Sequence, residues 1–118
     1  VRYLRKLIPQ LDSEKEFKDF IYSVIGTTLA SPDVASAVFA IFMYTHGDVM
    51  KSIRIASEIG GDTDTIACLA AGLGTKYSKK HDIPREYIDI IEKANNLDFG
   101  ILSEKISIFR ENNIKETF

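Results

Sequence analysis

Gly60-Gly61-Asp62-Thr63-Asp64-Thr65 concentrates more polar chemistry than any other stretch of the chain. Two glycines free the backbone for a tight turn, because glycine reaches positive φ without steric cost. Two carboxylates and two hydroxyls follow, and then the greasy run Ile66-Ala67-Cys68-Leu69-Ala70-Ala71. Asp and Thr favour helix N-caps, so the stretch reads as a loop entering a buried helix. Asp62 and Asp64 are two apart and share no face of a continuous helix. They converge only if Asp62 lies in the loop and Asp64 sits near the N-cap. Asp62, Asp64 and Thr65 would then aim oxygens into one space, the donor type that Mg²⁺ and Ca²⁺ take. Nitrogen- or sulfur-loving metals find little here, since no His is adjacent and Cys68 falls beyond the turn.

The competing reading is a well-capped helix and nothing more. Two carboxylates crowded together repel unless something neutralises them. The helix dipole helps each charge by only about 0.3–1 kcal/mol, so a bound cation answers the crowding better. The turn offers about three ligand oxygens where Mg²⁺ wants about six, so water or other residues must supply the rest. Asp33 and Asp48 also stand in capping positions and read as surface helix ends.

Helices with clear punctuation must position this turn. Val1 to Ile8 reads as helix, with Leu4, Leu7 and Ile8 on one face, ending at Pro9; lacking a cap, residues 1–9 read as the end of a preceding helix or as a short N-terminus. Ser13-Glu14-Lys15-Glu16 is a capping box, followed by the stripe Phe17, Phe20, Ile21, Val24 and Ile25 and a C-cap at Gly26. Ser31 is the expected N-cap of an apolar helix from Val34 to Tyr44, with Pro32 at its first position. Gly47 ends that helix, and Asp48 caps the next, whose inner stripe is Val49, Ile53 and Ala56. Ala67, Ala70, Ala71, Gly72 and Gly74 line the helix after the acidic turn and suit close approach by another backbone. Residues 76–82 read as a polar connector, and Asp82-Ile83-Pro84 as the opening of a helix with Tyr87, Ile88, Ile91 and Ala94 inward. A last amphipathic stretch carries Leu102, Ile106 and Phe109, and residues 110–118 read as a polar, frayed tail. With no convincing strand, the class is all-α.

At 118 residues the chain is one domain or part of one, and its 45% hydrophobic content is that of a globular protein. No apolar run is long enough to span a bilayer, and no signal peptide is expected. A net charge of −2 gives no electrostatic case for nucleic acid or an anionic membrane as partner. The single cysteine, Cys68, forms no internal disulfide; it is expected in the core, in a cytoplasmic protein. His46 sits near a helix end and His81 in a solvated connector; Phe39, Phe42 and Tyr44 read as core.

From Gly26 to Ile91 the sequence resembles the ADP-ribosylglycohydrolase family. The resemblance rests on Gly26 and the connection after it, Ser31-Pro32-Asp33 before an apolar helix, the amphipathic helix ending at Ile59, the run Gly60 to Ala67, and the Ile83-Pro84 helix start. It implies an orthogonal multi-helix bundle with a two-metal site, usually Mg²⁺ or Mn²⁺, hydrolysing the glycosidic bond between ADP-ribose and an acceptor. Residue by residue, Asp62, Asp64 and Thr65 match the family's late metal ligands, and Gly60 and Gly61 its turn. Thr27, Thr28 and Ser31, after Gly26, are expected near the cleft and its substrate, an ADP-ribosylated protein or a small ADP-ribose conjugate.

Two features depart from the family pattern. Its other metal ligands belong to acidic motifs in an N-terminal half that these residues do not contain. Gly72 and Gly74 are followed by Thr75-Lys76-Tyr77-Ser78, so the family's small positions are displaced. Residues 1–118 therefore read as the C-terminal portion of such a domain, an incomplete bundle holding half a metal site. The portion is expected to be inactive alone and to need an N-terminal half from the same chain or a partner. The runner-up is a non-catalytic ADP-ribose-binding or crystallin-like derivative of the fold; a third reading is an unrelated helical interaction domain.

Overall fold

A computed structural model describes residues 2–114. They form α1 (Leu4–Leu7), a 3₁₀ turn (Ile8–Gln10), α2 (Glu14–Phe20), a π turn (Ile21–Ile25), α3 (Ser31–Thr45), α4 (Val49–Glu58), α5 (Thr63–Ser78), α6 (Arg85–Asn95) and α7 (Phe99–Ile114). No strand occurs among the described residues, so the all-α expectation holds. The chain divides into two compact units, one through Asp82 and one from Ile83.

The core of the first unit lies where α3, α4 and α5 meet the α2 face. Phe17, Ile21, Ile41, Ile55 and Ile66 are fully enclosed. Phe17 stacks flat on Tyr44 with ring centroids 3.9 Å apart. Gly74 of α5 approaches Gly47 so closely that an added Cβ would stand 2.9 Å from the Gly47 carbonyl oxygen. One of the small residues of α5 thus serves close packing, as its composition predicts. Two buried hydroxyls join α3 to α4: Thr45 and Ser52 are 2.9 Å apart, and Ser52 donates to the Asp48 carbonyl at 2.6 Å. On the surface, Arg54 grips Glu14 with two 2.7 Å hydrogen bonds, and Lys18 reaches Glu58 at 2.7 Å, tying α2 to α4.

The capping logic holds at the starts of α2 and α4. Ser13 Oγ accepts the Glu16 N–H at 3.1 Å, while Glu16 reaches back one residue further than a standard box, to the Asp12 N–H at 2.8 Å. Asp48 accepts the Lys51 N–H at 2.8 Å.

Several local expectations need correction. Pro9 does not end the first helical segment, which runs on through a 3₁₀ turn, where a missing N–H at an early position costs nothing. The stripe after Phe17 breaks at Ile21, because the Gly26 N–H bonds five residues back to the Ile21 carbonyl at 2.9 Å. This wider turn rotates Val24 outward, leaving it 66% exposed, although its spacing placed it inside. The N-cap of α3 is Ala30, and Ser31 already belongs to the helix. His46, rather than Gly47, takes the left-handed cap position directly after α3, at φ 54°. On α4, Ser52 and Ile55 are buried with Val49 and Ala56, whereas Ile53 is only half-buried. That helix is clasped by both α3 and α5, so its inner face is broader than one stripe.

Residues 76–78 are the last turn of α5, not a connector. Asp82 does not cap α6: its carboxylate accepts the Met50 N–H of α4 at 3.1 Å. In the second unit, Asn96 closes α6 in the left-handed conformation and Asp98 accepts the Ile101 N–H of α7 at 2.9 Å. No residue of α6 is buried, so Tyr87, Ile88, Ile91 and Ala94 do not form an enclosed stripe; Leu102, Ile106 and Phe109 of α7 are exposed as well. Two helices by themselves have too little surface to enclose a side chain. The expected frayed tail is helical as far as Ile114, and its remainder lies outside the described residues.

Candidate functional site

The acidic turn hangs between α4 and α5 on two left-handed glycines, Gly60 at φ 83° and Gly61 at φ 77°. Both conformations disfavour any side chain. Gly61 is also constrained by a neighbour: a Cβ there would strike the carbonyl and hydroxyl oxygens of Thr27. That approach lets the Asp62 N–H donate to the Thr27 carbonyl at 2.8 Å. Thr27 is only 5% exposed. The connection after Gly26 therefore braces the acidic turn from outside the helix it precedes.

Asp62 occupies the N-cap of α5, with Asp64 and Thr65 in its first turn. The loop and N-terminal placement that convergence requires is thus met. Asp62 takes the cap position without doing the cap's work, because its side chain accepts no capping hydrogen bond. Asp64 is exposed, yet its carboxyl is held below the usual carboxylate range. The Thr65 N–H is the main cause, followed by hydrogen bonding to Asp62 and by its own N–H. Asp62 and Asp64 thus stand two residues apart at the start of one helix, and both border the same cleft. Two carboxylates placed this close repel each other, and a cation offsets that repulsion.

Two open clefts meet at this turn. One, of about 620 Å³, is lined by Thr27, Thr28, Leu29, Ala30, Gly61, Asp62 and Asp64. The other, of about 680 Å³, runs along an apolar wall of Val34, Val38, Phe39, Leu69 and Leu73, with Ser31, Asp62 and Thr65 at its polar end. Leu29 and Asp62 border both. The residues expected at the site thus divide: Thr27 and Thr28 face the cleft of Asp64, Ser31 faces the groove of Thr65, and Asp62 joins the two.

An all-oxygen donor set of two carboxyls and one hydroxyl fits a hard divalent cation in part. Among the described residues, no three His, Cys, Asp or Glu side chains gather where they could hold a metal.

Sequence reasoning missed several neighbours of this turn. Asp33, read as a plain helix end, accepts the Thr28 hydroxyl at 2.6 Å and lies against Gly26. Leu29, Phe39 and Leu69 are exposed along the clefts, so Phe39 is not core; Leu29, an apolar residue following Thr27-Thr28 in the connection after Gly26, was the visible signal. Cys68 is exposed rather than enclosed, because Ile66 and Ala70 turn the opposite side of α5 inward. His46 and His81 are exposed and border a separate cleft of about 370 Å³.

Among the described residues, no helix is long and apolar enough to cross a membrane. No curated protein and no solved structure matches the chain. Residues 2–112 match the family model of ADP-ribosylglycohydrolase, nearly the whole length of the 118-residue chain and well beyond the turn itself. The helical fold agrees with that match, and the chain belongs to the ADP-ribosylglycohydrolase family.

Proposed function

We propose that the chain contributes metal ligands to a hydrolase that cleaves the glycosidic bond between ADP-ribose and an acceptor, an ADP-ribosylated protein or a small ADP-ribose conjugate. Family membership supports the reaction class. The observation that carries the metal assignment is the placement of Asp62 at the N-cap and Asp64 in the first turn of α5, bordering one cleft, with Asp62 left out of helix capping. Asp62, Asp64 and Thr65 would hold Mg²⁺, or Mn²⁺ in its place. Such a cation, when bound, would supply orientation of ribose hydroxyls and activation of water beside the anomeric carbon. The protein's own part is to hold two carboxylates close at a helix N-terminus, whose dipole offsets some of their repulsion. Thr27, Thr28 and Ser31 line the two clefts and would contact the substrate from either side of Asp62.

Three oxygen-bearing side chains fill only part of an octahedral shell. Ligands from a separate N-terminal half or a partner chain would complete it, in a cytoplasmic setting, and the 118 residues alone would be inactive. The test is a Mn²⁺ titration of the chain alongside Asp62→Asn, with hydrolysis of ADP-ribosylated protein assayed in parallel. Metal binding that the substitution weakens, without turnover, supports the proposal. No metal binding would favour a non-catalytic derivative of the fold, and turnover at an ordinary enzyme rate would remove the need for a completing half.

A further inference from the structure

We infer that Asp33 is a positioning residue for the acidic turn, acting through a latch that runs from α3 through the connection after Gly26 to Asp62. This inference rests on the reading of Asp62 as a metal ligand. Asp33 sits in the first turn of α3 and touches neither Asp62 nor Asp64 in any hydrogen bond. Its carboxylate accepts the Thr28 hydroxyl at 2.6 Å, a charge-assisted bond of the strong kind. The same Thr28 oxygen accepts the Ala30 N–H at 3.1 Å, so one hydroxyl fixes the connection at two points. A Cβ on Gly26 would stand 2.8 Å from Asp33 Oδ2, so the carboxylate also rests on the left-handed residue where the π turn ends. Between these points lies Thr27, buried, with its carbonyl on the Asp62 N–H and Gly61 pressed against it.

The path is therefore continuous: Asp33 holds Thr28, Thr28 sets the peptide of Thr27, and Thr27 sets Gly61 and Asp62. This is not a helix cap: the Thr28 oxygen accepts the N–H of Ala30, which precedes α3, and its hydrogen goes to Asp33. What the arrangement does fix is where the Asp62 backbone stands, and with it the carboxyl that borders the same cleft as Asp64.

Backbone amide exchange read by NMR on the full metal-free chain tests the latch, with Mn²⁺ affinity titrated separately on the same variants. In Asp33→Ala and Thr28→Val, the Asp62 amide should exchange about tenfold faster, the scale of one lost charge-assisted hydrogen bond, while the Ile55 amide in the core keeps its rate. Asp33→Asn and Thr28→Ser retain an acceptor and a donor and should restore protection. Mn²⁺ affinity should fall several-fold in the two disruptive variants and recover in the two conservative ones. An unchanged Asp62 rate in Asp33→Ala, or equal acceleration at Asp62 and Ile55, would overturn the latch. Wild-type protein that ignores Mn²⁺ would overturn the metal reading instead, while the exchange rates still decide the latch.

Discussion

Replacing Gly61 with alanine separates the two demands that this position meets. The first is conformational: at φ 77°, an L side chain costs roughly 1–2 kcal/mol. The second is spatial, because the new methyl would strike the carbonyl oxygen of buried Thr27, which cannot swing aside as a side chain tip can. Relief requires the two loops to part, losing the 2.8 Å bond from the Asp62 N–H to the Thr27 carbonyl, about 1 kcal/mol more. Gly61→Ala should therefore cost about 2–3 kcal/mol. Gly60→Ala shares the positive φ, but its methyl meets only the edge of the Tyr22 ring at 3.3 Å, and that ring is free to move. It should cost about 1–2 kcal/mol, the backbone contribution alone. Gly72 lies inside α5 with nothing within 4 Å of a new Cβ, so Gly72→Ala should stabilise by up to about 1 kcal/mol. Urea unfolding at equal slope measures all three, and a cost of 2–3 kcal/mol moves the midpoint by about 1 M. If Gly61→Ala unfolds at the midpoint of Gly60→Ala or above it, the close approach of Thr27 is refuted.

Three further outcomes can be checked. The Arg54 guanidinium holds the Glu14 carboxyl down to about 2 from its usual 4.5, so the folded state resists protonation between those values. The stabilisation is complete above pH 4.5 and lost as pH falls toward 2; because the pair is partly solvated it amounts to about 1 kcal/mol, and Glu14→Gln should flatten that part of a stability–pH curve. Phe17→Ala, at a fully enclosed site, should cost about 3–5 kcal/mol by urea unfolding, whereas Val24→Ala should stay within about 0.5 kcal/mol; a large Val24 effect would contradict the π turn. Asp64→Asn removes one member of the repelling pair, and should weaken Mn²⁺ binding while leaving the urea midpoint within about 0.5 kcal/mol of wild type.

The helices and two of their N-caps were legible because local chemistry decides them. Ser13 and Asp48 cap as their types require, and Asp62 stands at the N-cap where the glycines before it release the chain. What escaped was decided by partners distant in sequence. Val24 has apolar spacing, but the bond from the Gly26 N–H to the Ile21 carbonyl widens the turn, and Gly26 lies beside Asp33 of the next helix. Asp82 precedes Ile83-Pro84 and resembles a cap for its own helix, yet it finds an open N–H thirty-two residues earlier. Cys68 differs from Ala67 and Ala70 only in which way α5 happens to face. For the candidate site, the sequence marked Asp62, Asp64 and Thr65 and the connection after Gly26, but not that Thr27 would press on Gly61 or that Asp33 would hold Thr28.

The bond from Met50 to Asp82 also decides where the chain tolerates a cut. A truncation after Lys79, at the visible end of α5, would remove the second carboxylate at the N-terminus of α4. One after Pro84 would keep it while discarding α6 and α7. A protease nicking between those two points would thus leave two kinds of fragment of nearly equal length, and only the longer would retain the full closure of α4.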